Sequence, residues 1–319
     1  MEGHSNCGLK RILSKLESSI NAGDYYEAHQ MYRTLYFRYL GQKKYHELIQ
    51  MLYNGSLLLL QCEQYTSGAD LGILLIDVFK KAEIKPTHSY FQKMIDLFTL
   101  MNPVCPERET FVQNALRWSM TGSTYKTGHP DFHRKLAQVY WQEKNYPLAR
   151  QHYLYTKDGF GCASMLIELH QKHGYSNEID FFITQTVLQY LCLQNAEAAE
   201  EAFTSFINQH PKIAKQPPFI LPLLNFSFFL LKTIQFGKIS MFTILCDQYF
   251  TSLSRDPCFL QYLEKIGQIF FDVQPSQIYS RRGLFSSFLQ SFFNDINEEE
   301  NSDDQQRINT KSIISAEVD

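Results

Sequence analysis

The sequence predicts an all-α protein, an α-solenoid of stacked, tetratricopeptide-like helical hairpins. Three observations lead there. Apolar residues recur at three- and four-residue spacing through most of the 319-residue chain. A trio with offsets zero, three and seven returns after polar turns: Tyr45, Leu48 and Leu52 after Lys43-Lys44; Tyr146, Ala149 and Tyr153 after Lys144-Asn145; Ala196, Ala199 and Phe203 after Gln194-Asn195. Those offsets fall on one helical face, and their recurrence is the mark of a helical repeat, here with variable spacing. Glycine is sparse, at 15 residues, and the 11 prolines cluster, which suits long helices better than a many-stranded sheet.

Residues 8–21 read as an amphipathic helix with Leu9, Ile12, Leu13, Leu16 and Ile20 on one stripe, capping the open end of the stack. Gly23 then breaks the chain and Asp24 caps the next helix, whose core face is Tyr25, Ala28, Tyr32, Leu35 and Tyr39. Tyr26, His29, Arg33 and Phe37 form a second stripe on that helix. Such a stripe is either sandwiched between neighbours or offered to a partner.

Helices at 43–53 and 55–62 follow, and after Ser67-Gly68 the residue Asp70 is expected to cap a helix running to Phe79. Lys85-Pro86-Thr87 ends that unit, and helices cover 88–101 and 106–119. Residues 120–130, rich in Gly, Ser and Thr, divide the solenoid into halves. Further helices are expected at 131–143, 145–155, 159–173, 177–193 and 195–208. Gln216-Pro217-Pro218 forces extended chain, with room for a short hairpin near 212–222. A Phe-rich core helix and helices at 238–249 and 256–272 complete the body. Leu284 to Phe293 reads as a short helix with one intensely apolar face, docked on the body or on a partner; from Asn294 an acidic tail is expected to be disordered. The resulting division is a cap at 1–22, half-solenoids at 23–128 and 129–293, and a tail at 294–319.

Composition excludes several functions. A net charge of −3 argues against a dedicated nucleic-acid binder. The seven cysteines lack Cys-x-x-Cys spacing and fit reduced thiols. Residues 1–10 do not read as a secretory signal, and the apolar run from Pro217 to Leu231 is too short to span a membrane, so a cytosolic protein is expected. Catalytic and metal-ligating patterns are lacking: no P-loop, no nucleophile elbow, no His-Glu-x-x-His. His170 and His173 read as surface histidines, and His129, His133 and His152 fit no ligand spacing. Asp158-Gly159-Phe160-Gly161 reads as a turn between helices.

Several stretches carry a resemblance. Gly23-Asp24-Tyr25-Tyr26-Glu27-Ala28-His29-Gln30 is similar to the opening of the Golgi-to-ER traffic protein 4 family. So are Ser67-Gly68-Ala69-Asp70-Leu71, Gly128-His129-Pro130, Val187-Leu188-Gln189-Tyr190-Leu191-Cys192-Leu193, Pro217-Pro218-Phe219, Gly267-Gln268-Ile269-Phe270-Phe271 and Gly283-Leu284-Phe285, so that the likeness spans about residues 8–293. The resemblance implies a non-catalytic, cofactor-free and metal-free cytosolic scaffold in the delivery of tail-anchored membrane proteins. Its implied partners are a dimeric targeting ATPase, a ubiquitin-like protein and a BAG-family scaffold. Carried over by motif, Tyr26, His29, Arg33, Lys43 and Asp70 are expected at the ATPase contact. Phe219, Phe229, Phe242, Phe285, Phe288 and Phe292 are expected at the ubiquitin-like and BAG-family contact. Some members carry a basic residue where this chain has Gly41, a role left to Lys43 or Lys44.

Overall fold

In the computed structural model of the chain the described residues are 2–273, with side chains from residue 11. One backbone device recurs at the hairpin turns. Gly23, Lys43, Glu63, Glu83, Lys144 and Gln194 all hold positive φ, between 52° and 79°. In each case the N–H of that residue reaches the carbonyl three back, and the next N–H reaches five back, as Lys43 does to Leu40 and Lys44 to Tyr39. These are Schellman endings, which satisfy the last carbonyls of a helix. A non-glycine residue in this region costs roughly 1–2 kcal/mol, yet only the first of these turns uses glycine.

The elements are α1 (Glu2–Ala22), α2 (Tyr25–Gly41), α3 (Tyr45–Gln61), α4 (Tyr65–Lys81), α5 (His88–Leu100), α6 (Pro106–Ser119), α7 (Pro130–Gln142) and α8 (Tyr146–Tyr153). They continue as α9 (Gly159–His173), α10 (Ile179–Cys192), α11 (Ala196–Gln209), α12 (Pro222–Phe236), α13 (Ile239–Gln248), α14 (Phe250–Leu253) and α15 (Pro257–Phe271). Among the described residues every regular element is a helix, as the sequence predicts. Helices α2, α3 and α4 each have 17 residues and start at 25, 45 and 65, a 20-residue period stricter than the sequence reading expects. Helices α2, α4 and α6 pack in one layer and α3, α5 and α7 in the other, the arrangement of a solenoid.

Small residues set the spacing. Ser56 Oγ donates to the carbonyl of Gly68 at 2.7 Å in a buried contact between α3 and α4. A Cβ on Gly68 would lie 2.6 Å from Leu60, and one on Gly55 2.6 Å from the Tyr32 ring. The same close approach joins α9 to α11, where Gly159 sits against the backbone of Ala198 and Ala202. Farther along, α10 is packed by α9, α11, α12 and α15. That burial explains its wide apolar face, which includes Ile179, Ile183, Val187, Tyr190 and Leu191.

Several expectations are corrected. The helices expected at 43–53 and 55–62 are one, because Gly55 stays helical against Tyr32 instead of breaking the chain. Helix α4 starts at Tyr65, so Asp70 lies inside it and is not its cap. Asp24 makes no side-chain capping bond; the α1–α2 turn is closed by its backbone. No hairpin forms at 212–222. Side chains hold the segment instead: Lys215 Nζ donates to the carbonyls of Ile207, Asn208 and His210 just before it, and Asn225 exchanges two bonds with the backbone of Phe219. His170 is buried, not on the surface, and its Nδ1 meets His210 Nε2 at 3.1 Å. The helix and tail expected from Leu284 onward lie outside the described residues.

Candidate functional site: the α2–α4 seam

The 20-residue register lays the outer stripe of α2 beside α4. His29 is mostly buried, and its Nε2 lies 2.7 Å from Asp70 Oδ2. Arg33, one turn farther on, points Nη1 at both carboxylate oxygens of Asp70 from 3.4 Å. Asp70 is therefore gripped by a buried ring on one side and an exposed guanidinium on the other, while its own side chain keeps 28% exposure. Tyr26 at 78% and Phe37 at 65% exposure flank the pair on α2. Exposed aromatics beside a charged pair make up the composition of a protein contact more than of a solvated face. The second stripe thus divides: His29 is sandwiched, while Tyr26, Arg33 and Phe37 face outward. Lys43 is exposed at the positive-φ position of the α2–α3 turn.

Sequence reasoning missed a second cluster on this seam. Tyr36 is buried, yet its hydroxyl donates to Asp77 Oδ2, and Lys81 Nζ reaches both that hydroxyl, at 2.9 Å, and Asp77, at 2.7 Å. The bonds to Asp77 and Tyr36 push the Lys81 pKa up; burial, then Asp77, pushes up the Tyr36 phenol. The signal was present as Asp70 and Asp77 seven residues apart, but it depends on knowing that α4 starts at Tyr65.

The C-terminal aromatic set is dispersed. Phe219 is buried edge-on against Phe203 and lines a cavity of about 150 Å³ between α11 and α12. Phe242 is buried and stacks on Phe271 at 4.7 Å. Phe229 remains 46% exposed, near in sequence to exposed Phe236, Ile239, Met241 and Ile244. Phe285, Phe288 and Phe292 lie outside the described residues. Among the described residues no group of three or more His, Cys, Asp or Glu could hold a metal, and no helix is long and apolar enough to cross a membrane.

Stacked helical hairpins with a charged and aromatic seam turned outward define an α-solenoid, a class that works through extended surfaces. The chain belongs to the Golgi to ER traffic protein 4 family, whose family model matches residues 42–293. It is 46% identical over 299 residues to the Golgi to ER traffic protein 4 homolog of Xenopus tropicalis, covering 94% of this chain and 92% of that one. With the Homo sapiens homolog it shares 45% over 298 residues, covering 93% and 91%. The crystal structure of C. therm. Get4 superposes with a TM-score of 0.77 at 27% identity, covering 85% of this chain and 91% of that chain.

Proposed function

We propose that the protein is a non-catalytic cytosolic adaptor in Golgi-to-ER traffic, acting in post-translational delivery of tail-anchored proteins to the ER membrane. It bridges a dimeric targeting ATPase, held on the α2–α4 seam, and a pre-targeting complex of a ubiquitin-like protein and a BAG-family scaffold, held by the C-terminal half. The observation that carries this reading is the pairing of Asp70 with His29 and Arg33 between exposed Tyr26 and Phe37, on a chain of this family. Lys43 extends the ATPase contact at the α2–α3 turn. Exposed Phe229 and the apolar residues of α13 offer the C-terminal contact, and Phe219 and Phe242 support that region from within the core.

Co-purification of the full chain with the ATPase and with the ubiquitin-like protein tests the reading. Capture of both, with the ATPase lost in Asp70→Lys and the ubiquitin-like protein retained, is expected. Capture of neither component by the wild-type chain contradicts it.

A further inference from the structure

The two clusters on the α2–α4 seam are the same construction repeated. His29 and Tyr36 are seven apart on α2; Asp70 and Asp77 are seven apart on α4. Each aspartate takes a bond from the α2 side chain 41 positions earlier. Both α2 partners are buried, His29 at 8% and Tyr36 at 3% exposure. Each aspartate also holds one exposed cation, Arg33 on Asp70 and Lys81 on Asp77, whose side chains are 44% and 47% exposed. Seven residues of helix rise about 10.5 Å, so two carboxylates stand about that far apart along α4.

We infer that Asp77, with Lys81, is a second recognition point on this seam, and that the partner reads the two carboxylates together by presenting two basic side chains about 10 Å apart. The inference rests on the adaptor reading of the Asp70 face and extends it by two helical turns. Buried and exposed groups on the seam divide the labour. The buried donors fix each carboxylate in place, which lowers the ordering cost of a contact. The exposed cations are held weakly, because solvent screens such pairs. An incoming base can therefore replace Arg33 and Lys81 on the carboxylates, and the released cations are free to meet acids of the partner. Charge complementarity of this kind sets register and specificity. Tyr36 acts through Asp77 and is a positioning residue.

Titration of the full chain with the targeting ATPase, at low and at physiological salt, tests the inference. Asp77→Asn keeps an acceptor for Tyr36 but removes the charge. It is expected to weaken binding about tenfold and flatten the salt dependence, as Asp70→Asn does. Tyr36→Phe is expected to weaken binding about threefold and to flatten the salt dependence in part. Asp96→Asn removes a carboxylate that also accepts from a tyrosine, Tyr53, but from α5 in the other layer; unchanged affinity is expected there. Wild-type affinity in Asp77→Asn, with Asp70→Asn weakened, overturns the inference and leaves the adaptor reading standing. Wild-type chain that fails to bind the ATPase overturns both.

Discussion

Asp180 is completely buried at the start of α10, and the cation facing it is Arg255, whose Nη1 stands 3.6 Å from Asp180 Oδ2. The guanidinium also covers the Phe181 ring at 4.2 Å and donates to the carbonyl of Asn177. This contact ties the turn before α15 to the start of α10. Burial pushes the Asp180 carboxyl up, and Arg255 pulls it back down.

Removing the cation should therefore leave a buried charge uncompensated. Arg255→Met is expected to destabilise the protein by about 2 kcal/mol, below the 3–5 kcal/mol of a fully buried pair because Arg255 is partly exposed. The sign of its pH dependence follows from the raised carboxyl: the folded state takes up a proton before the unfolded state does. The penalty should shrink as pH falls toward the carboxylate range. Urea melts of both proteins at neutral and mildly acidic pH measure it.

Two buried imidazole pairs make the fold acid-sensitive. His133 Nε2 donates to the carbonyl of Thr127, so its Nδ1 is the acceptor at 2.8 Å for His152 Nδ1–H. The same logic orders His170, which donates to the Tyr175 carbonyl and accepts from His210. These bonds need neutral rings. Burial pushes His133 down from 6.5 to about 4, and His152 well below its ordinary value. His210 is also pushed down to about 4, by burial first and then by His170 and nearby lysines. The unfolded state binds protons first, so stability is intact above about pH 6.5 and falls as pH drops toward 4. The His133 shift alone corresponds to roughly 3 kcal/mol across that window. Thermal melts between pH 7.5 and 5 should fall steeply in the wild type and less steeply in His210→Gln.

Glycines with and without neighbours should respond oppositely. Gly68→Ala drives a Cβ into Leu60 at 2.6 Å, with the Leu60 backbone nitrogen at 3.1 Å behind it. Overpacking of that kind costs about 1–3 kcal/mol. Gly41 has nothing within 4 Å of such a Cβ and ends α2. Gly41→Ala is expected to be neutral or to stabilise by up to about 1 kcal/mol. Melting temperatures of the two variants, measured side by side, check the contrast.

The fold class was legible because helical periodicity survives in a single sequence. Trios such as Tyr45, Leu48 and Leu52 match helices that bury Leu48 and Leu52. The regular period was not legible, since five of the six recurring turns hide a left-handed residue behind Lys, Glu or Gln in place of glycine. The sequence makes Asp70 look like a cap for the same reason: Glu63 at positive φ starts α4 two residues later, and nothing in its side chain announces it. Part of the candidate seam was legible: the resemblance points to His29, Arg33 and Asp70, and the structure places these three side chains in contact. Tyr36, Asp77 and Lys81 were missed, because pairing across 41 residues depends on the register of two helices. The histidine pairs were hidden likewise: His170 and His210 are far apart in sequence and meet only after α9 and α11 stack.

Under the proposed function, the α2–α4 seam holds the targeting ATPase through charge. The most direct measurement is the affinity of purified full chain for that ATPase, wild type against Asp70→Lys and Arg33→Glu, with helical content recorded for each. Unchanged helical content, wild-type binding that weakens with added salt, and a loss of at least about tenfold in both variants are expected. Wild-type affinity in both variants, at any salt concentration, would contradict it.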